Sequence, residues 1–568
     1  MLELAHTIVE YLFLQHPQKQ IFAAFSVYLL VALLFGWTLR RPLYEGLALG
    51  FLNISGCADL ALYLSRHFDW SLGTFSAAGF AITILAWVLM RRILPFPEYR
   101  GVAATTHLQL AVGATLALAV WVVQILTPEP SAGFTFFQPW YPMYIEGSIA
   151  ADRLLTTADM ALGDGVVTVP MVYAVDTLGI SLLLSMATGI GAHGAYAGSA
   201  IAASIFTVLV LLHALGPKPL RVVLYLGVTL IFLRYGNFYR LMLGNNWGDM
   251  LQFLSGALAC SYLVRGGSYR NAYILAVIAA AFGVFSRNYG IYFAFFIAVT
   301  GLTEMLLRDP KRISIGRWSV VATVAAVLSM RELAFVLEHG IYYPKVFLEG
   351  QARDWSSWLQ GVLTSWGLIA NPAQFALRVP VGWVSFLLLG VALFVNRRRI
   401  AASLIWTRRL LVPLLIPLAP FSLELITGYQ TGPDRNKLYA FAVFFFAWYP
   451  VFLIGQLKPE AYFRRLSLGR RRALTGIAAV MVLLVGVFGF TWLQGRPIAK
   501  IGLASYIPRA FDSYRDDNWD LMIAEALRDK YGADVERIRQ RKIMYFYTEP
   551  GIGVRYFLGS VDEFTATI

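Results

Sequence analysis

Four carboxylates lie close together between residues 141 and 173, at a spacing that could support acid–base chemistry. Read as one continuous helix, this stretch places Asp152 and Asp159 on the same face, because residues seven apart are separated by two turns. A carboxylate on a helix at a membrane surface could accept a proton as a general base. The alternative is a solvated loop whose acids only keep it outside the membrane. The stretch has a single basic residue, and its acids are Glu146, Asp152, Asp159 and Asp164.

Three separate stretches of the chain place arginine, lysine or histidine residues on the surface that is predicted to face outward. Membrane proteins favour basic residues in cytoplasmic loops, so basic residues predicted on the other side need an explanation. A phosphate would supply one, because arginine offers a bidentate fork and lysine a point charge. The alternative is that these residues pair with nearby acids or with lipid headgroups. The stretches contain Arg287 and Asn288 in an SRNYG turn, Arg331, Glu338 and His339 near the end of a span, and Arg435 and Lys437 before a later span.

The composition indicates a polytopic membrane protein. Of 568 residues, 58% are hydrophobic and 14% are charged, which is far more apolar than a soluble domain. The net charge of +14 lies mostly in short basic loops between apolar runs, so it indicates membrane orientation rather than nucleic-acid binding. Cys57 and Cys260 fall within apolar runs, so we expect packing residues and no disulfide framework.

Apolar runs near the length of about 20 residues that a bilayer requires predict about 14 transmembrane helices. Arg40 and Arg41 follow the first run, which puts that loop in the cytoplasm and the N-terminus outside. The apolar segment that ends near Ile190 is predicted to be a re-entrant or a surface helix. The spans are placed at 20–38, 43–63, 74–90, 104–126, 194–214, 220–234, 248–264, 271–286, 289–307, 316–335, 380–396, 409–427, 438–456 and 473–493.

The predicted fold is therefore an all-α polytopic membrane protein with a small extracytoplasmic appendage. Residues 1–103 hold three additional N-terminal spans, and residues 104–493 form a transmembrane core. Two outer loops of this core, 127–193 and 336–378, carry the candidate site residues. The appendage at 494–568 is expected to be α+β, because an amphipathic helical pattern is followed by short strand-like runs.

The acidic stretch contains, in order, an acid, an apolar run with an alanine, a glycine-rich turn, and a proline followed three residues later by a tyrosine. In this order it resembles the first extracytoplasmic loop of the GT-C superfamily of integral-membrane glycosyltransferases, which use polyprenyl-phosphate-linked sugars. The chain lacks the adjacent Asp-Glu pair of that family, which leaves the base open between Asp152 and Glu146. The resemblance extends over roughly residues 104 to 456, through the helix that opens at Asp249, the SRNYG turn and the stretch GPDRNKLYAFAVFFF. The matching positions in the loop are Asp152, Ala158, Gly163, Asp164, Gly165, Pro170 and Tyr173.

The resemblance implies an inverting transfer of sugar from a polyprenyl-phosphate donor to a glycan, lipid or protein acceptor. The active site would lie on the extracytoplasmic face of a bacterial inner membrane, and no nucleic-acid partner is expected. The polyprenyl-phosphate sugar is the one cofactor-like ligand that the resemblance implies. The sequence has no His, Cys or Asp cluster with metal-ligand spacing, although the outer carboxylates could hold a divalent ion. The implied roles are catalytic for Asp152, Glu146 and Asp159, phosphate-binding for Arg435, Lys437, Arg287 and Arg331, and acceptor-binding for Glu338, His339, Tyr144 and Asn288.

Two other classes of protein fit the same pattern of spans. A lipid or glycolipid transporter would show internal symmetry and charges near the bilayer midplane, and neither was found in the sequence. An O-antigen polymerase or ligase would carry paired arginines and a histidine in large outer loops. The loop 336–378, with His339, Arg353 and Arg378, permits that interpretation but leaves the acidic first loop unexplained.

Overall fold

The computed structural model describes residues 17–39, 41, 43–93, 140–154, 178–215, 249–265 and 355–365, with the isolated positions 368–369, 383, 387 and 467–469. Within these ranges every regular element is a helix, apart from one isolated antiparallel β-bridge between Ser71 and Arg153. The described part of the chain is thus all-α, as predicted. The helices are α1 (Pro17–Thr38), α2 (Leu43–His67), α3 (Leu72–Ile93), α4 (Trp140–Ala150), α5 (Leu178–Thr188), α6 (Ala192–Leu215), α7 (Asp249–Arg265) and α8 (Trp355–Ser365).

Five of the predicted spans fall in the described ranges, and they correspond to α1, α2, α3, α6 and α7. The largest difference in their bounds is at the end of α2, predicted at residue 63 and observed at His67. By length and composition, α2 and α3 are able to cross a membrane. The apolar window of α2 is 83% buried and that of α3 is 22% buried, so α2 is central and α3 peripheral. The other predicted spans and the appendage lie outside the described residues, apart from single positions.

A close crossing of glycines holds α1 against α2. A methyl group on Gly36 would lie 2.5 Å from the carbonyl carbon of Gly46, and one on Gly50 would lie 2.7 Å from the carbonyl oxygen of Ala32. Side chains larger than hydrogen do not fit these contacts. Gly46 and Gly50 are four residues apart and therefore share one face of α2, the small-xxx-small arrangement that lets two membrane helices approach closely.

The aromatic core lies where α1, α2 and α6 meet. The ring of Phe51 packs edge-on against Tyr28 at 5.7 Å and against Phe206 at 5.5 Å. The Tyr28 hydroxyl donates a hydrogen bond to the carbonyl of Ala195 at 3.0 Å. Each such aromatic pair stabilises a fold by about 0.5–1.5 kcal/mol beyond its buried area, so α1 and α6 are fixed together through α2.

Helix α5 begins deep inside the bundle. The amide of Gly179 donates to Oδ1 of Asp59 at 3.0 Å, and Asp59 precedes His67 at the end of α2 by eight residues, or roughly 12 Å along the helix axis. From there α5 rises beside α3, where the sulfur of Met186 lies 3.7 Å from the hydroxyl of Ser76. All residues from Leu178 to Ser185 are buried, so α5 is an internal helix and not a surface helix.

The upper end of α5 defines one end of the bundle, here called the Gln20 end. After α5 the chain turns at Gly189, whose φ of 72° is a left-handed conformation that glycine adopts without strain. The amide of Gly191 then donates to Oε1 of Gln20, at the start of α1, at 3.2 Å. The bridge between Ser71 and Arg153 joins two further loops at this end. Helix α5 thus runs from the level of Asp59 to the Gln20 end. Residues 155–177, which precede it, lie outside the described residues, so the re-entrant alternative stays a prediction.

The opposite end, here called the Arg41 end, is held by a buried ion pair. Nη1 of Arg41 lies 3.3 Å from Oε1 of Glu45, with both side chains 3% exposed. The hydroxyl of Tyr262, near the end of α7, donates to the same carboxylate oxygen at 2.7 Å. The ring of His213, in the last turn of α6, packs on Tyr44 with centroids 3.4 Å apart. All these segments were predicted to lie on one side of the membrane, so the contacts agree with the predicted alternation of spans.

Candidate active site

Helix α4 ends in a turn that holds Asp152 in a left-handed conformation, with φ at 49°. The amide of Asp152 donates to the carbonyl of Ile149, and the amide of Arg153 donates to that of Ser148, both at 3.2 Å. These two bonds form a Schellman motif, which requires positive φ at the residue that follows the helix. Aspartate is among the few residues other than glycine that adopt this conformation readily. The turn fixes the backbone of Asp152 and leaves its side chain exposed.

This turn contradicts the prediction of a continuous helix through the acidic stretch. Helix α4 ends at Ala150, so Asp152 does not share a helical face with Asp159, which lies outside the described residues. The apolar spacing continues past Ala150, but the left-handed residue satisfies the last carbonyls of α4 and thereby ends the helix.

A second aspartate, Asp69, occupies the same kind of turn at the end of α2. Its φ is 52°, and the amide of Trp70 donates to the carbonyl of Ser65 at 2.8 Å, which is the longer of the two Schellman bonds. The side chain of Asp69 is exposed. Sequence analysis missed this residue because a lone acid between two spans has no spacing that marks it.

The two turns meet through the bridge between Ser71 and Arg153. Ser71 follows Asp69 by two residues, and Arg153 follows Asp152 directly. Two exposed carboxylates therefore flank one backbone contact at the Gln20 end. Ser71 is also the N-cap of α3, because its hydroxyl accepts a hydrogen bond from the amide of Thr74 at 3.2 Å.

Two further predicted site residues lie on α4 and differ in exposure. Glu146 is exposed, and it stays the alternative base. Tyr144 is 1% exposed, so its side chain belongs to the core of the bundle and does not line a surface that an acceptor could reach. The proposed acceptor site therefore depends on Glu338, His339 and Asn288.

Asp59 is a buried charge within a membrane-length helix, and the sequence analysis overlooked it. It is 2% exposed, and its carboxylate accepts the Gly179 amide at the start of α5. A carboxylate at a helix N-terminus satisfies an orphan donor and interacts favourably with the helix dipole. The signal was present in the sequence, because an acid inside the apolar run 43–63 is a functional candidate by default.

Arg41 was predicted to lie in a cytoplasmic loop, and the structure shows that its side chain is buried. Its ion pair with Glu45 and the hydroxyl of Tyr262 lie at the Arg41 end, separated from Asp152 by the length of α2. This cluster is therefore distinct from the candidate active site. A buried ion pair of this kind requires both partners, because removal of one leaves an uncompensated charge.

The remaining predicted site residues cannot be positioned from the described part of the chain. Asp249 does open α7 as expected, and since α7 ends near the Arg41 end, Asp249 lies toward the Gln20 end. The residues outside the described ranges are Asp159, Arg287, Asn288, Arg331, Glu338, His339, Arg353, Arg378, Arg435 and Lys437.

Within the described ranges, no three His, Cys, Asp or Glu side chains are grouped so that they could hold a metal ion. Cys57 is a buried free thiol in α2. Comparison of the chain with protein-family models, with curated proteins and with solved structures found no match.

Proposed function

We propose that this protein is an inverting membrane glycosyltransferase that uses a polyprenyl-phosphate sugar. The acceptor would be a glycan, lipid or protein on the extracytoplasmic face of a bacterial inner membrane. The observation that carries the proposal is the exposed carboxylate of Asp152 on a backbone fixed by a Schellman turn at the Gln20 end. A general base must be held within hydrogen-bond reach of the proton that it takes. This turn holds the backbone of Asp152 in a fixed position.

In the proposed step the acceptor hydroxyl gives its proton to Asp152 while its oxygen forms a bond to the anomeric carbon. The bond from that carbon to the phosphate oxygen breaks on the opposite face, so the configuration inverts and polyprenyl phosphate leaves. The proposed phosphate-binding residues neutralise the leaving group, so positioning and electrostatics lower most of the barrier. These residues are Arg435, Lys437, Arg287 and Arg331, and the proposed acceptor residues are Glu338, His339 and Asn288.

The test is Asp152→Asn, which keeps the shape of the side chain and its tolerance of positive φ. We expect turnover to fall about 10²-fold or more, with donor binding retained because the carboxylate acts on the acceptor. Purified protein in liposomes would be assayed with a panel of radiolabelled polyprenyl-phosphate hexoses and pentoses, and donor binding would be measured separately.

Glu146→Gln is the matched variant on the neighbouring helix. An active Asp152→Asn with an inactive Glu146→Gln would move the base to Glu146 and keep the reaction. Parent turnover in both variants would refute Asp152 and Glu146 as the base.

The position of Asp59 favours a second candidate function, transport of a lipid or glycolipid. Transporters often form their sites where discontinuous helices begin within the membrane, and α5 begins at the Asp59 carboxylate in this way. Asp59→Asn keeps an acceptor for the Gly179 amide and removes the charge. If the protein is a transporter, this variant should lose movement of a fluorescent lipid-linked sugar between leaflets, while Asp152→Asn should move it normally. If it is the glycosyltransferase, Asp59→Asn should retain sugar transfer.

A further inference from the structure

Helices α1 and α3 both pack against α2, and each leaves large apolar side chains exposed on the outside of the described bundle. On α3, Phe80 and Ile84 are four residues apart and therefore share a face, and more than half of each side chain is exposed. Leu30 and Leu34 have the same spacing and comparable exposure on α1. This face is the part of the described bundle in which large apolar side chains are most regularly left uncovered.

The face ends, toward the Arg41 end, in a rim of aromatic and cationic side chains. Nε1 of Trp87 donates to Oγ1 of Thr38 at 3.0 Å, which ties the rim of α3 to that of α1. The guanidinium carbon of Arg91 lies 5.8 Å from the centre of the Trp87 ring, within the range of a cation–π contact. Trp37 is 80% exposed beside them. Tryptophan is enriched at the headgroup level of membranes, and arginine is enriched in the cytoplasmic loops next to it.

The rim contains two arginines with no ion-pair partner among the described residues. Arg91 and Arg92 are both exposed in the last turn of α3, and within the described ranges neither forms an ion pair. Arg41, by contrast, is buried against Glu45 at 3.3 Å. The rim therefore combines two exposed guanidinium groups with an indole held by a hydrogen bond.

The dimensions of the face match one leaflet. From Phe80 to Arg91 the axis of α3 rises roughly 16 Å, and half of the hydrocarbon core is about 15 Å thick. An acyl chain lying along Phe80 and Ile84 would place its headgroup at Arg91. The positive rim then selects a headgroup with negative charge.

We propose that the rim formed by Thr38, Trp87, Arg91 and Arg92 binds the headgroup of an anionic phospholipid, whose acyl chains lie on the exposed apolar side chains of α1 and α3. The phosphate accepts hydrogen bonds from the two guanidinium groups, and the Trp87–Thr38 bond holds the rim in place. This site is at the end of the bundle opposite Asp152, so it is independent of the proposed sugar transfer.

The test uses the full-length protein in nanodiscs of phosphatidylcholine that contain a photoreactive phosphatidylglycerol probe. We expect crosslinks to peptides that contain Trp37 or Trp87, and competition by unlabelled phosphatidylglycerol but not by added phosphatidylcholine. Each cation at a membrane surface contributes about fivefold to the affinity for anionic lipid. Arg91→Gln with Arg92→Gln should therefore weaken competition by about 25-fold.

Arg153→Gln is the matched control, because Arg153 is exposed at the opposite end and its loss should leave the crosslink unchanged. Equal competition by the two lipids would overturn the proposal and leave an ordinary lipid-facing surface. A crosslinked second copy in place of lipid, or unchanged competition in the double variant with an unchanged melting temperature, would also overturn it.

Discussion

The turns at Asp69 and Asp152 are near copies of each other in their backbone. Each follows a helix, each has an aspartate with φ near 50°, and each leaves the carboxylate exposed. They also meet at the bridge between Ser71 and Arg153. What differs is the chain that follows: two residues separate Asp69 from α3, whereas Asp152 leads into the acidic stretch that contains Asp159 and Asp164.

This comparison shows that a positive φ at an aspartate does not by itself identify a catalytic residue. In both turns positive φ is explained by the closing of a helix end, which any aspartate, asparagine or glycine can provide. The proposed catalytic role of Asp152 therefore depends on the carboxylate and on the following segment, and Asp69 becomes the control within the same molecule. Three predictions test this division.

The largest expected effect separates the two carboxylates. Asp152→Asn should lower sugar transfer by about 10²-fold, the magnitude typical of a lost general base, while Asp69→Asn should leave it within about twofold of the parent, because a residue outside the chemistry leaves the barrier unchanged. The measurement is initial-rate transfer from the radiolabelled donor panel in liposomes. Similar losses in both variants would mean that the two carboxylates act together and that the comparison fails.

An intermediate effect should be shared by both turns. Asp69→Val and Asp152→Val should each destabilise the fold by about 1–2 kcal/mol, because a β-branched residue is strained at positive φ. Asp69→Gly and Asp152→Gly should be as stable as the parent, because glycine accepts this conformation. The measurement is the thermal unfolding midpoint in detergent. A valine variant as stable as the parent would show that its turn does not contribute to the folded state.

The smallest expected effect concerns the contact shared by the two turns. Ser71→Ala removes the N-cap of α3 and should cost about 1 kcal/mol of stability, with Ser71→Asn restoring most of it. The bridge to Arg153 is a backbone contact, so sugar transfer below the unfolding temperature should not change. Reduced transfer by a folded Ser71→Ala would show that the Ser71 hydroxyl takes part in the site.

The amino-acid sequence by itself determined the spans that the structure describes. Helices such as α2 and α6 lie within a few residues of their predicted bounds, because an apolar run of membrane length is a local property of the chain. The same local pattern predicted a helix before α6, left open between re-entrant and surface, and the structure has α5 there. It failed at the end of α4, because apolar spacing does not show which aspartate will adopt positive φ and end a helix.

Only the tertiary structure decided which distant residues meet. Asp59 holds the start of α5 across 120 residues, and Tyr262 reaches Glu45 across 217. Arg41 was predicted to lie in a loop, and the structure buries it against Glu45, four residues away, where α7 brings the hydroxyl of Tyr262 onto the same carboxylate. Such contacts depend on how helices are arranged around one another, and a pattern along the chain carries no record of that arrangement.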